Sequence, residues 1–321
     1  MIFKAKTDTE AQINPELRPE ALSAASLVNA VLIHSQTPQA LEAIYTLKRL
    51  IDQHQLRIKL SCVPSLQKLT QKYRQQLSAE YQCPLLIIDD KEDLALLING
   101  ISVAPEWAKL QRRIVSAGRK SELLLQAAKL NADRRALDAT AGFGHDSLIL
   151  ASTGAQVTLV EREPLLALLL LAEQQKMAQQ KNWQKLMSRL TIINNSAEDC
   201  LAHIKLQSLC YDTIYLDPMF PDDSYENSHT GKGAQVGKHM QALHSLVAAP
   251  TLASEMVLFE SASQALRVPQ DYNHVLETEN QPVRCKGRLI VKRPISAPSL
   301  ANKTPDEVWQ NDVVRFDGYL V

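Results

Sequence analysis

Short apolar runs alternate with stretches of helical spacing along the first part of the chain. Residues 29–34 and 56–62 are apolar runs of strand length, and between them residues 38–54 carry apolar side chains three and four positions apart. This spacing predicts a strand, a helix and a second strand. The face that the helix is expected to bury consists of Leu41, Ile44, Leu47, Leu50 and Ile51.

The next elements predicted are a helix over residues 65–81 and a hairpin. Two apolar runs, 85–88 and 94–98, flank a polar DDKED turn, which is the pattern of paired strands. We therefore expect residues 21–105 to form a small α/β domain that follows a polar tail, residues 1–20. No residue of this domain indicates a particular chemistry.

From residue 106 onward, a basic helical stretch leads into strands that alternate with helices, the pattern of an α/β fold with a doubly wound sheet. The predicted strands are residues 136–139, 156–160, 190–193, 213–216 and 288–291. The last ten residues, DVVRFDGYLV, predict an antiparallel strand pair broken at Gly318. A mostly parallel sheet closed by an antiparallel edge is typical of the Rossmann-like class I methyltransferase fold, which we expect for residues 106–321.

Composition limits the class of protein. Of the 321 residues, 45% are hydrophobic and 22% are charged, which excludes disordered and low-complexity chains. The longest purely apolar run, Leu165–Ala172, is shorter than the roughly 20 residues of a membrane helix, and the first residues lack the apolar core of a signal peptide. The five cysteines include no CxxC pair, so we expect no disulfide framework, no metal site and a location in the reducing cytoplasm.

The formal net charge of the chain is zero, which excludes a uniformly basic nucleic-acid-binding protein. Lysine plus arginine equals aspartate plus glutamate at 35 each, so no overall positive field draws the chain onto nucleic acid. Two local stretches are basic, residues 108–136 and 284–293. Each is either a solvated face or a patch that contacts phosphates.

The predicted strand that ends at Asp138 is followed by ATAGFGHDS, a tight turn before a helix. Gly142 and Gly144 let a ligand approach the backbone closely at this strand end. A dinucleotide fingerprint would have a third glycine at the position of Ser147. Asp138 and Asp146 instead bracket the turn, and carboxylates repel a diphosphate but attract the ammonium and sulfonium groups of S-adenosylmethionine. The alternative role for Asp146 is a helix N-cap.

Polar residues also follow the next two predicted strands. Glu161 ends the second strand, where an acid accepts hydrogen bonds from both ribose hydroxyls of an adenosine. Arg162 either covers the adenine or pairs with Glu163. The third strand leads into a polar segment that would lie at an adenine edge or cap the next helix. The residues of this segment are Asn194, Asn195, Ser196 and Ala197.

The fourth strand leads into the sequence DPMFP, residues 217–221. Each proline restricts itself and the residue before it, so the turn is rigid and extended. Methyl transfer to an exocyclic amine needs acceptors for the N–H groups, because the nitrogen lone pair is otherwise delocalised into the ring. Asp217 offers a carboxylate, the backbone stiffened by Pro218 offers a carbonyl, and Phe220 can stack on the base. The alternative is a strand-end turn with a packed phenylalanine.

Five separated motifs follow one another along the chain. They are DATAGFGHDSLILAS, VERxP, YLDPMFP, VKRP with the nearby PSLAN, and the closing RFDGYLV. Over roughly residues 84–321, the sequence resembles the small-subunit ribosomal RNA guanine-N2 methyltransferase J family. The resemblance implies transfer of a methyl group from S-adenosylmethionine to N2 of a guanosine in 16S rRNA, free or in the small ribosomal subunit. It also implies cofactor contacts at His145, Asp146, Glu161, Arg162, Ser196, Ala197 and Asp217.

An RNA substrate adds requirements of its own. A paired guanine presents N2 in the minor groove, so the base must be unpaired or flipped to reach Asp217. The residues expected to bind phosphates around it are Arg112, Arg113, Arg119, Lys292 and Arg293. Residues 222–239 are expected to form a lid, and their HTGKGAQVGKH lacks Walker spacing, which excludes nucleotide hydrolysis.

Other functions stay open at this point. The Asp-Pro-x-Phe sequence also suits methylation of adenine in DNA or of a glutamine side chain in protein. A catalytically inactive RNA-binding factor would keep the fold, although the acids at three strand ends argue against it. A nicotinamide dehydrogenase would bind NAD tightly to a similar sheet.

Overall fold

A computed structural model describes residues 27–81, 83–89, 93–116, 121–206, 211–219, 250–266 and 287–321. The first of two sheets in these ranges has the strand order β2-β1-β3-β4-β5. Its strands are β1 (Val28–His34), β2 (Ile58–Pro64), β3 (Leu85–Ile88), β4 (Leu94–Ile98) and β5 (Ile101–Val103). β2, β1 and β3 are parallel, whereas β3, β4 and β5 form the predicted hairpin and one further antiparallel strand.

Helix α1 (Pro38–Gln53) lies between β1 and β2, as the apolar spacing predicts. Thr37 caps it, because its side chain accepts a hydrogen bond from the backbone N of Ala40, and Pro38 fits the first turn. Ile44, Leu47, Leu50 and Ile51 are buried as expected. The prediction for Leu41 is wrong: this side chain is 48% exposed, and the smaller Ala40 takes the buried position beside it.

Helix α2 (Gln71–Glu80) begins six residues later than the predicted start at residue 65. Its N-cap is Thr70, whose hydroxyl accepts a hydrogen bond from the backbone N of Tyr73 at 3.3 Å. Upstream, Ser65 donates its backbone N–H to the carbonyl of His34, which continues the contact between β2 and β1. The helix therefore starts at its Thr70 cap, whereas Ser65, the predicted first residue, is bound to the sheet.

The second sheet has the strand order β11-β12-β10-β9-β6-β7-β8 in the described part of the chain. Its strands are β6 (Arg135–Asp138), β7 (Gln156–Glu161), β8 (Leu190–Asn194), β9 (Thr213–Leu216), β10 (Arg288–Pro294), β11 (Glu307–Gln310) and β12 (Val314–Leu320). The helices are α3 (Gln111–Ser116), α4 (Leu123–Ala128), α5 (His145–Ser152), α6 (Pro164–Ala178), α7 (Gln184–Met187), α8 (Ala197–Leu206) and α9 (Leu252–Leu266). β10, β9, β6, β7 and β8 are parallel, and β12 and β11 close the edge antiparallel. This arrangement confirms the α/β class and the Rossmann-like methyltransferase sheet.

The apolar run of α6 is buried on all sides, from Pro164 to Leu171. One hydrophobic core includes Leu168 and Leu170 of this helix, Leu32 and Leu86 of the first sheet, and Leu159 of the second. A helix packed on all sides has no polar face, which explains the run of leucines. No helix in the described ranges combines the length and apolar character needed to cross a membrane.

The predicted boundary near residue 105 falls between β5 and a 3₁₀ turn, Trp107–Leu110. The division into two domains stays a prediction. The predicted tail (1–20) and lid (222–239) lie outside the described residues.

The expected break at Gly318 is wrong. β12 runs without interruption through Gly318, and its antiparallel neighbours are β10 and β11, of which β11 escaped the sequence analysis. A Cβ at Gly318 would lie 2.7 Å from Cζ3 of Trp309 on β11. The glycine therefore makes room for the indole of the neighbouring strand instead of ending the strand.

We expect Gly318→Ala to lower the free energy of unfolding by about 1 to 3 kcal/mol, because the new methyl group overlaps the Trp309 ring. Urea denaturation of both proteins measures this loss. In a Trp309→Leu background the same change is expected to cost clearly less. An equal cost in both backgrounds would contradict the steric explanation.

Candidate active site

The strand order β9-β6-β7-β8 brings four carboxyl ends to one edge of the second sheet. Asp138 ends β6, Glu161 ends β7, Asn194 ends β8, and Asp217 directly follows β9. In the register, Asp138 pairs with Tyr215 and Glu161 pairs with Asn194. The residues that the sequence analysis placed at separate strand ends therefore lie along a single crevice.

Glu161 supports the glycine turn. Its Oε2 accepts a hydrogen bond from the backbone N of Gly142 at 2.9 Å, and its Oε1 accepts one from the backbone N of Glu163 at 2.8 Å. The side chain is only 7% exposed, and this burial raises its pKa to about 7. Gly142 has φ +53°, and apart from its chain neighbours no described residue has an atom within 4 Å of the place where its Cβ would be, so the described residues leave open space beside the turn.

Asp138 is buried at the base of the turn. Ser147 donates its hydroxyl to Oδ2 at 2.5 Å, and the backbone N of Thr140 donates to Oδ1 at 3.2 Å. Burial raises the pKa of Asp138 to about 7, and the nearby carboxylate of Asp146 adds to this. Ser147 stands where a dinucleotide fingerprint has glycine, and here it satisfies the buried acid.

Gly144 allows α5 to start in close contact with the core. It has φ +70°, and a Cβ there would lie 3.0 Å from Cδ2 of Leu159 and 3.2 Å from Cζ2 of Trp107. The Trp107 indole also donates to the carbonyl of Phe143 at 2.7 Å. His145, next in the chain, donates from Nε2 to the carbonyl of Pro105 at 2.6 Å.

Two residues of the segment that joins the sheets, Pro105 and Trp107, thus hold the glycine turn from behind. Nothing in the sequence pattern placed Trp107 in the site. The only local signal was a large aromatic residue directly after the predicted domain boundary.

An ion-paired cluster fills the crevice between β6 and β10. Lys292 Nζ donates to Oδ2 of Asp146 and to Oδ2 of Asp217, each at 2.8 Å. Tyr215 donates its hydroxyl to Asp146 at 2.7 Å, and an Arg113 nitrogen lies 4.0 Å from the other oxygen of Asp146. Asp146 is therefore an ion-pair partner in the first turn of α5, while the N-cap position is held by Gly144.

The two carboxylates of this cluster respond differently to it. Burial tends to raise the pKa of Asp146, but the charge and hydrogen bond of Lys292 outweigh burial and lower the pKa to about 2. For Asp217 burial is stronger than the attraction of Lys292, and the charge of Asp146 adds to burial, so its pKa is raised. The carboxylates keep the pKa of Lys292 above its ordinary value although burial opposes this.

The catalytic turn predicted from the sequence is described up to Met219. The backbone N of Asp217 donates to the hydroxyl of Thr140 at 2.6 Å, which joins this turn to the glycine turn. Pro218, the next residue after Asp217, is buried. Phe220 lies outside the described residues.

Lys292 and Arg293 were expected to act together on phosphates, but the structure places them on opposite faces of the sheet. Arg293 is only 3% exposed; it donates to Glu255 on α9 at 3.1 Å and to the carbonyl of Pro298 at 2.8 Å. Successive side chains of a strand point to opposite faces, so neighbours in sequence cannot share one surface. Arg293 is a buried ion-pair partner in this structure.

The remaining basic residues lie near α3. Arg112 is exposed. Arg113 makes a two-pronged contact with Glu122, at 2.9 and 3.0 Å, in addition to its approach to Asp146. Arg119 lies outside the described residues.

On the side of the crevice where adenosine is expected, the structure shows the ion pair and the helix cap that the sequence left open as alternatives. Arg162 has its Nε 3.7 Å from a carboxylate oxygen of Glu163, so it pairs with this neighbour. Ser196 caps α8 by accepting a hydrogen bond from the backbone N of Asp199 at 3.0 Å, and Ala197 is the first residue of that helix. Asn194 donates to the carbonyls of Glu161 and Arg162, which ties β8 to the end of β7.

In the described part of the chain, no group of three or more histidine, cysteine, aspartate or glutamate side chains is placed to hold a metal ion. The acids of the crevice are instead bound by Lys292, Ser147 and backbone N–H groups.

Comparisons with known proteins find similar sequences among methyltransferases. A family model described as "Putative SAM-dependent methyltransferase" matches residues 68–269. A ribosomal RNA small subunit methyltransferase J of Psychrobacter arcticus is 55% identical over 295 residues, which are 90% of this chain and 95% of that protein. The protein of the same name from Acinetobacter baylyi is 35% identical over 74% of this chain and 80% of its own length.

A solved structure shows the same fold. The crystal structure of an S-adenosylmethionine-dependent methyltransferase from Neisseria gonorrhoeae superposes with a TM-score of 0.59. The match covers 91% of this chain and 95% of that one, at 24% sequence identity.

Proposed function

Because the chain belongs to the ribosomal RNA small subunit methyltransferase J family, we propose that it transfers a methyl group from S-adenosylmethionine to the exocyclic N2 of a guanosine in 16S rRNA. The observation that carries this proposal is the 55% identity over 90% of the chain. An RNA substrate in the ribosome also supports the predicted cytoplasmic location.

The residues of the crevice fit the cofactor. The open space beside Gly142 leaves the turn accessible, and Glu161 is fixed at its edge by two backbone N–H groups. Each oxygen of Glu161 keeps a second lone pair, so both ribose hydroxyls can donate to it. Asp138 and Asp146 supply the negative surroundings that suit an ammonium and a sulfonium group.

When bound, S-adenosylmethionine supplies a methyl group whose bond to sulfur breaks with the electron pair left on the sulfur. The chain orients the acceptor. Asp217 accepts a hydrogen bond from the amine and so turns the nitrogen lone pair toward the methyl donor. The same carboxylate accepts the proton that the amine loses. We expect the fixed backbone at Pro218 to offer a second acceptor, Phe220 to stack on the base and Arg112 to bind a phosphate nearby. Arg113 is instead held by Glu122 through two hydrogen bonds.

Mapping of methylated guanosines tests this function. Small-subunit RNA from cells that lack the chain is expected to miss one N2-methylguanosine, which mass spectrometry of rRNA fragments detects. The purified protein is expected to methylate free 16S rRNA or small subunits from these cells, but not DNA or protein. Methylation of DNA or of protein glutamine without any on small-subunit RNA would overturn the proposal.

The raised pKa of Glu161 gives a pH dependence of cofactor binding. The ionised carboxylate accepts hydrogen bonds from the ribose more strongly, so affinity for S-adenosylmethionine is expected to rise as pH increases through about 7. Calorimetry at pH values between about 6 and 8.5, which bracket the pKa of Glu161, measures this affinity. Glu161→Gln is expected to weaken binding by about tenfold or more and to flatten the pH dependence.

The Gln variant is the control for Asp138, whose pKa is also raised to about 7. If the pH dependence survives in Glu161→Gln, Asp138 is its source and the assignment to Glu161 is wrong. Glu163→Gln leaves the backbone N–H that holds Glu161 in place but removes a charge that helps to raise the pKa of Glu161. This variant is therefore expected to keep the pH dependence and to move it toward lower pH.

A further inference from the structure

We propose that Lys292 is a positioning residue of this methyltransferase, which holds Asp217 beside Asp146 so that the acceptor carboxylate faces the methyl donor. This inference rests on the proposed function. It replaces the phosphate contact that the sequence predicted for Lys292.

Strand register puts Lys292 beside Asp217. β10 is parallel to β9, and Val291 pairs with Leu216, so the next residue of each strand is Lys292 and Asp217. Ile290 and Tyr215 pack on the same core, and Lys292 lies two positions beyond Ile290 on the same face. A lysine at this position can reach the crevice from the neighbouring strand without leaving the sheet.

The ammonium group of Lys292 is already occupied by carboxylates. Two of its three donors point to Asp146 and Asp217 at 2.8 Å, and its side chain is mostly buried. A phosphate contact would require this group to leave two charge-assisted hydrogen bonds. Arg112, by contrast, is exposed on α3.

The ion pair also leaves one side of Asp217 available. Lys292 binds Oδ2, and no side chain or backbone group of the described residues donates to Oδ1. Because the Asp217 backbone is fixed by the Thr140 hydroxyl, the carboxylate is held at both its main chain and one oxygen. The other oxygen can then receive an N–H of the guanine amine in a defined direction.

Lys292 counters the negative charges of the crevice. The groups that face Asp217 and Lys292 are Asp138 from β6, Asp146 from α5, Tyr215 from β9 and Arg113 from α3. Arg293 of β10 lies on the other face of the sheet and acts on Asp217 only through its charge. Burial and Asp146 raise the pKa of Asp217, and Lys292 opposes both. Without Lys292, Asp217 would take up a proton at higher pH and lose its role as an acceptor.

Substitution of Lys292 tests the inference through the pH profile. Lys292→Met is expected to lower kcat about 10- to 100-fold and to move the acidic limb of kcat/KM to higher pH. KM for the RNA and the slope of log KM against log salt are expected to stay as in the wild type. Lys292→Arg is expected to restore part of kcat and to return the acidic limb toward its original position.

Two other variants calibrate the readouts. Lys185→Met changes an exposed lysine on α7 and is expected to leave the pH profile unchanged. Arg112→Met is the comparison for a phosphate contact, which would raise KM for RNA and reduce the salt slope by about one. If Lys292→Met behaves like Arg112→Met, or if its pH profile matches the wild type, the inference is overturned.

The inference can still be tested if the Lys292→Met variant fails to fold. Thermal unfolding of each variant is measured first, and Lys292→Gln and Lys292→Arg provide the same pH comparison if the Met variant does not fold. A pH profile unchanged in every folded variant overturns the inference while the wild type remains active. A wild type that methylates no 16S rRNA rejects the proposed function instead.

Discussion

Asp217→Asn is expected to lower kcat for methylation of 16S rRNA by about 10²- to 10³-fold. The amide keeps the shape of the side chain but loses the negative charge. The carboxylate of Asp217 needs this charge to accept a strong hydrogen bond from the amine N–H and to take up the proton that the amine loses. The substitution also ends the ion pair with Lys292, which holds the side chain at 2.8 Å. Single-turnover transfer of a labelled methyl group, at saturating RNA and S-adenosylmethionine, measures the chemical step.

The matched control lies at the other end of the same strand. Asp212, before β9, contacts the Arg134 guanidinium and the backbone N of Arg135. Asp212→Asn is expected to lower stability by about 1 to 2 kcal/mol and to leave the single-turnover rate within about twofold. A rate in Asp217→Asn that equals the one in Asp212→Asn would refute the catalytic role of Asp217.

Trp107→Ala is expected to lower the free energy of unfolding by about 3 to 5 kcal/mol. The indole is 0% exposed, and its loss opens a cavity in the core below Gly144. The stability of a typical domain is about 5 to 15 kcal/mol, so this change removes a large share of it. The variant also loses the hydrogen bond to Phe143, so the glycine turn is released on its inner side and affinity for S-adenosylmethionine is expected to fall at least tenfold.

Urea denaturation and calorimetry with S-adenosylmethionine separate these two effects. Trp183→Ala removes another buried tryptophan of the same core, away from the glycine turn, and is expected to lose similar stability with unchanged affinity. Trp107→Phe keeps most of the packing but not the hydrogen bond. If both Ala variants bind the cofactor equally well when folded, Trp107 supports the core but not the turn.

The positions of Asp138, Glu161 and Asp217 could be predicted because each acid ends or directly follows an apolar strand, and parallel strands end at one edge. The capped start of α2 could not be predicted from apolar spacing, because it depends on the hydrogen bond that the Thr70 hydroxyl accepts from the backbone N of Tyr73 and on the bond between Ser65 and the sheet. The continuous β12 was missed because a glycine in a strand resembles a break until the facing Trp309 is known.

The sequence by itself determined the class of fold, the order of the acidic strand ends and the methyltransferase family, because these depend on local patterns and on motifs in a fixed order. Tertiary structure decided what the basic residues do. Lys292 reaches Asp217 although 75 positions separate them, since β10 and β9 are neighbours in the sheet. Arg293, one residue further on, points into the opposite core, because a strand alternates its faces and contacts between strands are set by their order in space.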